Sequence, residues 1–69
     1  MNINKFERLQ PDRKVSYLKK DAVLIQSVIR GEFLISLFWT RDLIFEVFYL
    51  RNDSSIFEIK SYNRKQYVA

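Results

Sequence analysis

The chain contains no cysteine and no histidine, and only one glycine and one proline, among its 69 residues. Without cysteine there is no disulfide framework and no thiolate metal site, so a reducing compartment, the cytoplasm, is expected. Without histidine or cysteine the commonest general base and the strongest nucleophile are both missing, and no enzyme is expected. A single glycine excludes a phosphate-cradling loop of the G-x-x-x-x-G-K type. The acidic residues show no metal-ligand spacing, so neither a metal nor a cofactor is expected. The opening run MNINKFERLQPDRK lacks the apolar segment of a secretory signal. The longest apolar stretch, 33–50, has the length of a membrane span but would bury Arg41, Asp42 and Glu46. Each such charge costs about 2.5–3.5 kcal/mol, which argues against a membrane.

What is present is a large apolar fraction. Hydrophobic residues make up 48% of the chain and aromatics 16%, an excess that lets a single small domain, 1–69, bury enough area to offset chain entropy. The formal charge of +4 is uneven: residues 1–21 carry net +3, residues 22–50 net −1 and residues 51–69 net +2. Basic ends on a nearly neutral middle suit either a solvated helix face or an anionic partner.

The centre of the chain is FLISLFWTRDLIFEVFY, residues 33–49. It is two apolar runs folded about Thr40-Arg41-Asp42, the pattern of a central hairpin in an antiparallel sheet. Around it, residues 1–10 read as a helical turn or an arm, with Ile3, Phe6 and Leu9 at spacing three. Residues 11–20 read as a helix that Pro11 opens; Asp12 in its first turn and Lys19 and Lys20 in its last complement the dipole. Strands are expected at 22–30, 33–39, 43–51 and 56–62, followed by a basic, frayed tail at 63–69. Gly31-Glu32 carries the type II′ hairpin signature, and Asn52-Asp53-Ser54-Ser55 is a turn by composition. Short connections give sequential antiparallel neighbours. The fold expected is α+β, an N-terminal helix packed on one face of a four-stranded antiparallel meander.

Setting Trp39 opposite Leu43 and Tyr49 opposite Phe57 gathers the odd-numbered apolar residues on one face. Phe33, Ile35, Leu37, Trp39, Phe45, Val47, Phe57 and Ile59 would then form the core under the helix. A strict two-residue turn at Gly31-Glu32 would add Leu24 and Val28 to that face instead of Ile25 and Ile29. The second face should be polar but is not. Leu34, Phe38, Ile44 and Phe48 would cluster there as an exposed apolar patch, a feature that marks an interaction site. Three occupants fit: a second copy in a symmetric homodimer, the chain's own ends (Phe6 and Leu9, or Tyr67 and Val68), or an unknown protein partner. Glu46 would face Lys60 across the strands, an ion pair rather than an acid–base couple. The function expected is that of a small non-catalytic protein-interaction or self-associating module using this second face. The alternative is a nucleic acid or another anionic partner, held by Arg51, Lys60, Tyr62 and Arg64 with the sheet aromatics.

The strings KVSYLKKDAVLI at 14–25 and IFEVFYLRNDSSIFEIKSY at 44–62 resemble a group of short uncharacterised bacterial proteins. Lys14, Tyr17 and Leu18 match the helix end of that group's pattern. Glu46, Val47, Phe48 and Tyr49 match its aromatic strand, and Ile56 and Ile59 its last strand. The chain departs from the pattern in having Lys20-Asp21-Ala22 where the group often has glycine. It has Leu50-Arg51 where an Asp-Pro often follows. The resemblance implies a helix followed by a four-stranded meander; it implies no activity and no functional residue.

Overall fold

The computed structural model describes residues 1–67. Two helices precede the sheet, α1 (Ile3–Glu7) and α2 (Pro11–Asp21). Strands β1 (Val23–Arg30), β2 (Phe33–Trp39), β3 (Leu43–Leu50) and β4 (Ile56–Asn63) follow, and α3 (Arg64–Tyr67) closes the described chain. The strands pair antiparallel in sequence order, β1-β2-β3-β4, an open meander with α1 and α2 on one face. This is the α+β architecture the periodicity predicts.

Local chemistry accounts for the element ends. Asn2 caps α1, its Oδ1 accepting from the Lys5 N–H at 2.8 Å. Pro11 occupies the first turn of α2, where its missing N–H leaves nothing unsatisfied. Gly31 has φ +57°, and Glu32 keeps a negative φ, the signs of a type II′ turn. At the β3–β4 turn Asp53 Oδ1 accepts from Ser55 N–H at 2.9 Å and Ser55 Oγ at 2.7 Å, and Ser54 takes the left-handed φ of 61°. These bonds hold the Asp53 carboxyl below its ordinary pKa, the Ser55 backbone N–H first among the causes.

The β2–β3 turn departs from the sequence expectation. Thr40 N–H donates to the Leu43 carbonyl at 2.9 Å, and Leu43 N–H donates to Thr40 Oγ1 at 3.2 Å. Thr40 and Leu43 therefore close a two-residue loop, Arg41-Asp42, and Trp39 pairs with Ile44 rather than Leu43. One residue of register exchanges the two faces of a strand. The face under the helices thus takes the even positions of β2 and the odd positions of β3. Phe33, Ile35, Leu37 and Trp39 lie on the reverse.

The core is built on β3. Phe6, Leu18, Leu43, Phe45 and Val47 form one buried cluster, with Ile3, Leu9, Tyr17, Phe38, Tyr49 and Ile59 packed around it. Phe6 and Phe45 are fully enclosed, their rings 4.6 Å apart. The N-terminal segment therefore serves the core. No residue of β1 belongs to this cluster, and all eight of its residues are exposed. The helical layer lies over one side of the sheet and leaves the β1 side bare.

Candidate interaction surface

The four residues expected to form one patch lie on two faces. Leu34 and Phe38 pair with Tyr49 and Phe45 on the helix face, whereas Ile44 and Phe48 pair with Trp39 and Ile35 on the reverse. None of the four is exposed, and Ile44 is buried. The cause is the Thr40–Leu43 closure, which moves β2 by one residue against β3.

The reverse face is partly covered by its own side chains. Phe33 packs edge-on against Phe48 at 5.9 Å and tilts against Phe57 at 5.2 Å. Phe57 is the extra residue where the β3–β4 pairing shifts, with Phe48 opposite Glu58 and Tyr49 opposite Ile56, not Phe57. Glu46 does sit opposite Lys60, but the expected ion pair is replaced by other contacts. Tyr62 Oη donates to Glu46 Oε1 at 2.7 Å and Tyr67 Oη donates to Oε2 at 3.3 Å. The Lys60 ammonium lies over the Phe48 ring at 5.2 Å. Residues 64–67, expected as frayed tail, instead form the helical turn that brings Tyr67 onto this face, 5.2 Å from the Tyr62 ring. Val68 lies outside the described residues.

The Glu46 hydrogen bond, followed by burial and the nearby negative charge, pushes the Tyr62 phenol up from 10.0 to about 12. Tyr67 is also raised, by burial first and Glu46 second. A tyrosine that keeps its proton in the fold but loses it when unfolded stabilises the native state below the unfolded pKa. That contribution falls as pH rises through the folded pKa. Stability should decline between pH 10 and about 12, and Tyr62→Phe should flatten that decline. Urea midpoints at pH 9, 10 and 11 test this; parallel curves for variant and wild type would contradict it.

The four candidate anion contacts do not cluster. Arg51 sits at one end of the sheet, its Nη1 donating to the Gly31 carbonyl at 3.1 Å. Arg64 sits at the other, some 20 Å away along β3 at strand rise. Its Nη1 donates to the Thr40 and Arg41 carbonyls at 3.3 and 3.4 Å, and its guanidinium lies 3.9 Å over Trp39. Lys60 and Tyr62 lie on the reverse face of β4, engaged as above. Arg64 thus latches α3 onto the β2–β3 turn. Arg64→Ala should cost about 1–2 kcal/mol. It should also red-shift the emission of Trp39, the sole tryptophan; an unshifted spectrum would show that the latch does not form.

Open apolar surface remains at both ends of the sheet order: Phe57 is 59% exposed and Ile56 39% at the start of β4, and the larger share lies on β1. Val23 is 60% exposed, Leu24 54%, Ile25 43%, Val28 41% and Ile29 60%. The strand pairs with β2 along one side only, so its outer backbone groups face solvent. Sequence reasoning overlooked this strand because its β-branched run reads as core. The missed signal was its position: the first strand of a meander lies at an edge, and no charge occurs before Arg30.

Among the described residues no group of three or more acidic side chains is placed to hold a metal, and no helix is long and apolar enough to cross a membrane. Comparison with family models, curated proteins and solved structures finds no match to the chain.

Proposed function

We propose that the protein is a non-catalytic association module whose contact surface is the uncovered side of the sheet around β1. The observation that carries this reading is the exposure of five large aliphatic residues along one edge strand, Leu24 and Ile29 on the helix face and Val23 and Val28 on the reverse, so that the edge is apolar on both faces. Patches of that kind on a folded domain mark interaction sites. The overlap with chemistry is small: Glu46 is held by two tyrosines, and Glu58 stands exposed opposite Phe48.

Binding of nucleic acid or another anionic partner draws less support. Stacking needs open ring faces, whereas Arg64 lies over Trp39 and Lys60 over Phe48. Arg51 is too far from the others to share a backbone track with them.

The test compares tagged wild type with Ile29→Lys. Ile29 is 60% exposed, so the substitution removes apolar surface without opening the core. Isolated from cells that also express the untagged chain, the wild type should retain a protein at stoichiometric level, either the untagged copy or a different chain, and Ile29→Lys should lose it with an unchanged circular dichroism spectrum. Equal recovery by both, or nothing retained by the wild type, overturns the association reading.

A further inference from the structure

Resting on that reading, we propose that the partner is a second copy of this chain, its β1 added antiparallel to β1 about a two-fold axis at Val28. The two edges of the sheet differ. β4 carries Glu58 and Lys60, breaks its pairing at Phe57 and runs into α3, all features that discourage further strand addition. β1 has no charge from Val23 to Ile29, no proline, and an open row of backbone donors and acceptors. The group that satisfies such an edge is another extended strand, and a row without charge repels no copy of itself.

Direction and register follow from the strand itself. A parallel pairing in register would set Arg30 beside Arg30, whereas antiparallel pairing sends the two to opposite ends. The pairing with β2 shifts at Ile25, leaving residues 26–30 regular. The register that uses all five has Val28 at the axis, Ser27 opposite Ile29 of the second copy and Gln26 opposite its Arg30. Each of these pairs shares a face, as cross-strand neighbours must. Ser27 and Ile29 both lie on the helix face, opposite Ser36 and Leu34; Gln26 and Arg30 lie on the reverse, opposite Leu37 and Phe33. The Gln26 amide oxygen can accept from the Arg30 guanidinium, and no like charges meet. Both copies then present α1 and α2 on the same side of one eight-stranded sheet.

The surface area fits the same conclusion. The chain exposes 5241 Å², whereas a monomer of its 8.4 kDa is expected to expose about 4,600 Å². The surplus of roughly 600 Å² approaches the ~800 Å² that each partner contributes to a standard interface.

Sedimentation equilibrium of the pure protein, from micromolar to millimolar, should give twice the chain mass. Val28→Lys sets two ammoniums across the axis and should weaken the dimer on the order of tenfold or more. Val23→Lys, on the same face and more exposed but outside the paired run, should leave it intact. In this cysteine-free chain, Val28→Cys alone should form a disulfide across the axis. Gln26→Cys should form one only when mixed with Arg30→Cys, since unpaired positions lie beyond disulfide reach. A monomeric wild type, a dimer indifferent to Val28→Lys, or equal cross-linking at every position overturns the proposal. A monomer that still retains a different protein, lost in Ile29→Lys, would remove the second copy and leave the association reading standing.

Discussion

Phe45→Ala should leave the chain largely unfolded at 37 °C. Phe45 is fully buried on β3, the strand that touches both β2 and β4, and lies between Phe6 at 4.6 Å and Tyr17 at 6.2 Å. Truncating a buried phenylalanine costs about 3–5 kcal/mol, because the cavity left behind closes only in part. A domain of this length has only about 3–10 kcal/mol of total stability, so the loss consumes most or all of it. The remaining buried cluster is small: Phe6, Leu18, Leu43 and Val47. Phe45→Leu retains much of the volume and should cost less than half as much. Urea titrations followed by Trp39 fluorescence and circular dichroism measure both; an alanine variant with a midpoint near that of the wild type would place the core elsewhere.

The reason that one ring matters so much also explains which parts of the fold were legible beforehand. Helix and strand positions followed from period and punctuation: Pro11 opens α2, Gly31 turns β1 into β2, and Asp53 with Ser55 turns β3 into β4. Between β3 and β4 the pairs Glu46–Lys60 and Val47–Ile59 also emerged, because alternation there is clean. The β2–β3 register did not. FLISLFW is apolar on both faces, so either face can meet the helices, and the choice falls to the turn. A three-residue and a two-residue loop read alike in Thr40-Arg41-Asp42; the Thr40 hydroxyl that selects the shorter one acts through a bond to Leu43. Ser36 was the one internal marker. It is 5% exposed and bonded to Ser27 at 2.8 Å on the helix face, a buried polar group that needs a partner.

The candidate surface was misplaced for the same reason. Once β2 moves by one residue, Leu34 and Phe38 leave the reverse face, and Tyr67 and Arg64 cover part of what remains. The surplus of apolar area was legible in the composition; its location was not. It lies at β1 because residues 1–21 spend their few apolar side chains on β3 and its neighbours, too few to reach the first strand.

Phe6→Ala should cost nearly as much as the change at Phe45, with a different signature. Phe6 sits on α1, a five-residue helix far too short to persist by itself. Its burial against Phe45 and Tyr17, with Lys14 5.6 Å over its ring, is what holds the segment down. Losing the ring should cost about 3–5 kcal/mol globally. Amide exchange in residues 2–9 should rise well beyond that global change, because local opening no longer exposes a large apolar group. The milder pair Phe6→Leu and Phe45→Leu then measures the contact itself. Two rings at 4.6 Å should couple by about 0.5–1.5 kcal/mol, so that the double variant loses less than the sum of the singles. Strict additivity, together with uniform exchange across residues 2–9, would mean that α1 is an arm resting on the sheet and not part of its core.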